Sequence, residues 1–306
     1  MNPANTRKFD APATFACLGA LVFWTVGPIF IKFLTGFVDV WTQNFLRYLS
    51  ACLFWLPFLL LTIRKGTLER NIWRKALLPS LVNIVMQSLG VAAYYYLNPG
   101  FIMLLLQSSI VWIAGFSLVF FAEERGLVKS YRFWLGAGLC VVGVVGVLVF
   151  KEGFTAPRTA TGIVIGLCAA VMWGIYTVTV KIAFKDIDSR RGFSVISIYT
   201  VIGLGATAFI FGRPGECLKM APWPWACVVI SGILCIGISH VLYYVAIKRI
   251  GATIPVLILL SQPFAVFGLS RIVFGEVLNA YQLVFGVVLL TGAGLAIWAQ
   301  GHLKRI

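Results

Sequence analysis

The sequence predicts an all-α integral membrane protein of ten transmembrane helices, arranged as two inverted five-helix repeats. Three observations predict it. Hydrophobic residues make up 60% of the 306 positions, charged residues only 11%, and the mean hydropathy is +0.94, whereas about a quarter of a soluble domain is charged. Apolar runs of about 18–24 residues alternate with short polar connections, and about 20 residues suffice to cross the hydrocarbon core. Finally, Leu18–Lys32 (LGALVFWTVGPIFIK) returns as Leu167–Lys181 (LCAAVMWGIYTVTVK), with the leucines, Trp24/Trp173 and Lys32/Lys181 in register 149 positions apart.

The first run, 14–34, follows the polar start MNPANTRKFDAPA. It is too long for a signal-peptide core and no small-x-small cleavage site follows it, so it is expected to be retained as span 1. Span 2 (40–63) contains Asn44 and Arg47, and span 3 (76–97) ends on a tyrosine run. Span 4 (100–122) is centred on Gln107-Ser108 and followed by Glu123 and Glu124. Span 5 (133–150) holds Gly136, Gly138, Gly143 and Gly146. Span 6 (160–183) repeats span 1. Span 7 (193–211) leads to span 8 (225–247), where Tyr243-Tyr244 answers Tyr94-Tyr95 at the same offset. Span 9 (253–274) carries Pro255 and Gln262-Pro263 opposite Gln107-Ser108, and Glu276 follows it. Span 10 (282–299) repeats the glycines as Gly286, Gly292 and Gly294. Small residues let helices approach closely in lipid, so spans 5 and 10 are expected to pack the halves together or a dimer. The spans leave no room for a soluble domain and divide the chain at 1–152 and 153–306.

A repeat of five spans ends on the side opposite its start, so the second copy must insert upside down. Charge gives the orientation. With the N-terminus in the cytoplasm, inner connections hold 17 Lys and Arg against four on the outer side, a bias that places both termini in the cytoplasm. The net charge of +15 is thus orientation information and contact with anionic lipid, not a nucleic-acid footprint. The seven cysteines form no C-x-x-C pair and read as small packing residues. No metal or cofactor is expected. Membrane proteins built from two related halves are commonly transporters with a site between them.

The stretch from Tyr243 to Trp298 contains AIKRIGATIPV, SQPF, FGEVLNAYQ and GVVLLTGAG. It resembles the drug/metabolite transporter superfamily, EamA type, over essentially the whole chain. The pattern is eroded in the first half, where Ser108 stands opposite Pro263. Within that group the chain is most similar to the YddG-type aromatic amino-acid exporters. The resemblance implies a central cavity lined mainly by spans 1, 3, 4, 6, 8 and 9 and opened alternately to the two sides of an inner (plasma) membrane. The partners it implies are a small-molecule substrate, amino acids or related metabolites, and membrane lipid. The oligomeric state would be a monomer or weak homodimer.

Polar groups deep in a membrane normally face protein or a water-filled cavity. Asn83, Gln87, Gly90 and Tyr94 share one face of span 3, as a cavity lining or as interhelical glue. His240, the histidine lying within a span, is a satisfied core residue or a cavity residue that bonds substrate or titrates. Tyr244 follows it one turn later. Gln107 and Gln262 hold matching positions and offer both donors and acceptors, which suits a zwitterion. Pro255 and Pro263 kink span 9 or free a carbonyl. Trp24 and Trp173 lie too deep for interface belts and are expected to approach one cavity from opposite halves, as flat walls for a side chain or as packing. Arg47 snorkels, binds a substrate carboxylate or satisfies carbonyls. Lys32 and Lys181 read as interfacial anchors.

No Asp or Glu lies in the middle of a span, which disfavours exchange of lipophilic cations for protons. A membrane enzyme acting on lipids would show clustered His, Asp or Glu, which the sequence lacks. A carrier or facilitator for small metabolites, amino acids first among them, is the expected function. Export of other metabolites or drugs, a passive channel and a non-catalytic scaffold stand as alternatives.

Overall fold

Apolar helices form the body of the described structure because the chain supplies long apolar segments with N-terminal caps between them. The structure is a computed structural model that describes residues 10–121, 125–126, 129–151, 153–185, 187–250 and 258–303. Its helices are α1 (Ala11–Leu34), α2 (Val40–Arg64), α3 (Ile72–Ala93), α4 (Pro99–Leu106), α5 (Ser109–Phe120) and α6 (Tyr131–Val149). They continue as α7 (Pro157–Ala183), α8 (Ser189–Phe211), α9 (Pro222–Gly232), α10 (Ser239–Ile250), α11 (Gln262–Phe274) and α12 (Ala280–Leu303). Among the described residues, nine helical segments are long and apolar enough to cross a membrane, α4 with α5 and α9 with α10 each forming one, and α11 is a shorter apolar helix. The ninth expected run, 253–274, falls partly outside the described residues, as do Pro255, Glu123 and Glu124.

Aspartates start three of the helices. Asp10 accepts from Ala13 N at 3.1 Å and Asp188 from Arg190 N at 2.8 Å. Asp39 accepts from Trp41 N and Thr42 N, each at 3.0 Å, and so satisfies amides with no partner in the first turn. Asp39 also accepts from Arg213 N at 2.9 Å and from the Thr42 hydroxyl at 2.7 Å. Burial pushes its carboxyl up, but the bonds from Thr42, Arg213 and Trp41 outweigh burial and hold it below the ordinary 3.8.

The packing pairs mirror one another. Helix α6 lies on α12 and α2 on α8; α3 packs on α7 as α1 packs on α10; α5 touches α7 as α11 touches α1. Helices α6 and α12 meet backbone to backbone. A Cβ added at Gly136 would stand 2.7 Å from Ala296 N and Gly292 O, and one at Gly143 would stand 2.5 Å from Leu289 N. The glycine faces thus pack against each other, since close approach is what small residues permit where lipid supplies no hydrophobic drive.

Two spans depart from plain helices. In span 4, Ile110 N and Val111 N bond back to Gln107 O and Ser108 O at 3.1 Å, a tight 3₁₀ turn that the Ser108 hydroxyl reinforces by donating to Leu105 O at 2.7 Å. In span 8, Ile233–Ile238 is a π-helical turn between α9 and α10. Its wider winding leaves successive carbonyls to side chains. Ser239 Oγ donates to Cys235 O at 2.8 Å, His240 Nδ1 to Ile236 O at 2.7 Å and Trp55 Nε1 to Gly237 O at 2.9 Å.

Candidate substrate site between the helices

An aromatic cluster joins α1, α8 and α10. The Trp24 ring lies 5.4 Å from His240, edge-on, and 5.1 Å from Tyr243. Phe193 of α8 stacks on the other side of His240 at 5.0 Å. Gln262 at the start of α11 donates through Nε2 to Trp24 O at 2.9 Å, tying the fourth element to the cluster. These contacts are within the offset and edge-to-face range for aromatic pairs.

The π turn sets the chemistry of His240. A carbonyl can only accept, so Nδ1 carries the proton that it donates to Ile236 O, and Nε2 of the neutral ring is an acceptor. Nε2 makes no hydrogen bond to the described residues. The ring therefore offers one acceptor beside two aromatic faces, suited to a substrate donor such as an ammonium group. The Gln262 amide has committed one of its donors and keeps its carbonyl.

The faces of the helices separate lipid from interior. Trp24 is half-buried and nine residues, about two and a half turns, from exposed Phe15. Gly90 stands nine residues from exposed Leu81, and a Cβ there would meet nothing within 4 Å. Trp173 stands nine residues from both Val164 and Ile182, which are 59% and 55% exposed. Trp173 itself is 37% exposed although it points away from that lipid face, so its ring borders space inside the bundle. Its contact is Tyr176, at 6.4 Å. The two tryptophans thus hold matching faces of α1 and α7, but the structure shows an aromatic cluster around Trp24 alone.

The span 3 stripe divides. Gln87 is half-buried and makes no hydrogen bond to the described residues, so it stays available beside Gly90. Asn83 is 1% exposed and its amide is committed to the Thr200 hydroxyl at 3.0 Å and to Tyr48 OH at 3.3 Å, as an interhelical tie among α2, α3 and α8. Tyr94 is buried in a core with Phe101, Leu105 and Ile163, and its hydroxyl meets Met103 Sδ at 3.5 Å. Gln107 is half-buried in the 3₁₀ turn, and its side chain makes no hydrogen bond to the described residues. Tyr244 belongs to α10, and its side chain lies outside the described atoms. Sequence reasoning missed Tyr243 and Phe193. Tyr243, three residues after His240, shares its helix face as well as Tyr244 does, whereas nothing in the sequence pairs Phe193 with His240.

Lys32 is not a lipid anchor. Its Nζ donates to Tyr94 O at 2.9 Å and Leu97 O at 3.0 Å, capping the carbonyl end of α3. Beyond the same turn, Glu276 receives Gly100 N at 2.8 Å and Phe101 N at 2.9 Å, capping the amide end of α4. Arg158 adds a bond from Nη2 to Tyr95 O at 3.1 Å. Arg47 does not snorkel either: it is 3% exposed and turned inward.

Comparison with known proteins agrees with this architecture. The sequence model of the EamA-like transporter family matches residues 11–149 and again 160–298. An uncharacterized transporter of Archaeoglobus fulgidus is 26% identical over 92% of this chain and 94% of its own length. One from Methanothermobacter thermautotrophicus is 28% identical over 77% of this chain and 68% of its own. A solved crystal structure superposes with a TM-score of 0.63 over 93% of this chain and 96% of the other at 16% identity, a likeness of fold.

Proposed function

The chain belongs to the EamA-like transporter family, and from that premise we propose that it exports small metabolites, aromatic and other neutral amino acids, by alternating access as a secondary carrier or facilitator. In this reading it is of the YddG-type aromatic amino-acid exporters. The observation that carries the cargo is the cluster of Trp24, His240, Tyr243 and Phe193: flat apolar walls around one ring acceptor that makes no hydrogen bond to the described residues. A zwitterion with an aromatic or apolar side chain matches both features, and among the described residues no carboxylate contacts this cluster to favour a cation.

The moving parts in this reading are two inverted five-helix halves, 1–152 and 153–306, around a central cavity. The two family matches begin 149 residues apart, at 11 and 160, the same offset that relates Trp24 to Trp173. The mirrored packing of α3 on α7 and α1 on α10 is what a two-fold relation between halves produces. The charge bias supports cytoplasmic termini in the inner (plasma) membrane. Lys32, Glu276 and Arg158 then hold the turn between α3 and α4 on the outer side, and their release accompanies opening outward. Alternation follows when one half rocks against the other about the fixed site.

The test is uptake of labelled phenylalanine, tryptophan and neutral amino acids into liposomes carrying the purified protein. His240→Ala and Gln262→Ala are expected to lower the rate at least tenfold while eluting as folded protein. Wild-type rates in both variants would remove these residues from the site.

A further inference from the structure

Arg47 is the eighth residue of α2, about 10 Å along the helix from its start at 1.5 Å per residue, within the expected hydrocarbon depth. Its one hydrogen bond within the described structure runs from Nε to Ser231 Oγ at 2.9 Å. Ser231 passes its own proton to Val228 O at 3.1 Å, so the serine is satisfied and neutral. Both Nη groups remain without a hydrogen bond to the described residues. Among the described residues, the titratable groups that bear on the guanidinium are Cys235, Tyr48, Tyr94 and Tyr95, and no carboxylate forms an ion pair with it.

One turn earlier on the same face stands Asn44, 1% exposed, with neither its Oδ1 nor its Nδ2 bonded. Beside it, Gln43 Oε1 is also unbonded, although its Nε2 reaches Ile31 O and Tyr95 OH at 3.2 Å. A buried cation with no counter-charge and a buried amide with no partner are each unfavourable in a low-dielectric interior. Two of them at adjacent turns point to a polar ligand that supplies what the protein withholds. The donor set fits a carboxylate: a planar guanidinium fork that takes two oxygens, with an amide N–H alongside. Cys235, near Arg47, also lies against α1, where a Cβ added at Gly27 would stand 3.2 Å from Cys235 Cβ. Gly27 is three residues from Trp24, which puts the polar pair beside the aromatic cluster.

We propose that Arg47 and Asn44 form the subsite for the α-carboxylate of the transported molecule, with His240 Nε2 taking its ammonium and the Trp24 ring lying along its side chain. The proposal rests on the transport reading and deepens it. The test compares L-phenylalanine with L-phenylalaninamide, which keeps the ring and ammonium and replaces the anion by a neutral amide. Counterflow by the wild-type protein is expected to favour the acid at least tenfold. Arg47→Gln should abolish that preference, Arg47→Lys should retain part of it as a point charge, and Asn44→Ala should reduce it several-fold. A folded Arg47→Gln protein with the wild-type preference would overturn the proposal, and so would a wild type that moves acid and amide equally. If Arg47→Gln does not fold, the wild-type preference and Asn44→Ala decide. A wild type that moves neither compound defeats the transport reading, and the subsite is then judged separately by phenylacetate binding. Phenylacetate, but not phenylacetamide, should raise the melting temperature of the wild type and not of Asn44→Ala; no difference between the two compounds overturns the subsite.

Discussion

Replacing Glu276 with alanine removes the cap of a helix from a position 176 residues away in sequence. Helix α4 begins at Pro99, and its N-cap Asn98 makes no capping bond with its side chain. The first two available amides, Gly100 N and Phe101 N, point instead at the two carboxylate oxygens of Glu276, at 2.8 and 2.9 Å, and the side chain is 3% exposed. A buried hydrogen bond to a charged group contributes about 1.5–3 kcal/mol, and the positive end of the helix adds about 0.3–1 kcal/mol. Losing both bonds and the helix-end interaction should therefore cost about 3–7 kcal/mol, because the alanine leaves two buried donors unpaired. Glu276→Gln keeps one acceptor and turns an N–H₂ toward the second amide, for about half that loss. At about 2–4 °C per kcal/mol, thermal unfolding in detergent should fall by about 10 °C for the alanine variant and less for the glutamine. An alanine variant that melts with the wild type would refute the cap and the reasoning built on it.

Three further outcomes follow from the packing and the caps. Gly143→Ala drives a methyl into the α12 backbone at Leu289 and should cost about 1–3 kcal/mol by overpacking; Gly138→Ala, where nothing lies within 4 Å, should be neutral or stabilising by up to about 1 kcal/mol, and paired melting curves compare the two. Asp39 has a folded value below 3.8, so its contribution is fully present above that value and drains away as pH falls through the lowered one. The melting difference between wild type and Asp39→Asn should accordingly be constant near neutral pH and shrink below about pH 4; a difference independent of acidification would contradict the cap. Trp173→Ala, which removes a ring bordering internal space, should slow uptake of aromatic amino acids at least threefold with little change in melting, and an unchanged rate would leave that ring outside the path.

The bundle is legible because lipid imposes a simple length rule, and the described helices follow the expected spans closely, the larger offsets falling at α3, which starts at Ile72 and not 76, and at α8, which starts at Ser189 and not 193. The glycine faces of spans 5 and 10 declared their contact for the same physical reason: nothing but close packing rewards a row of glycines in a membrane helix. Side-chain direction was harder to read. Lys32 near the end of span 1 and Arg47 two turns into span 2 both read in sequence as cations that reach the membrane surface or find a partner, yet one caps α3 and the other turns inward to Ser231. What separates them is the partner each meets, the Tyr94 carbonyl 62 residues away and the Ser231 hydroxyl 184 residues away in the chain. The π turn left no sequence signal, so the tautomer of His240 and the stacking of Phe193 became visible only with the fold. Asn83 and Gln87 share a stripe but not a fate, since Thr200 and Tyr48 claim only the first.

Counterflow in liposomes tests the central claim most directly. Vesicles preloaded with unlabelled phenylalanine should take up labelled phenylalanine transiently above equilibrium, saturably and only when wild-type protein is present. Flux that does not saturate and ignores internal substrate would make the protein a channel. Folded protein that moves no amino acid at all would contradict the assigned cargo.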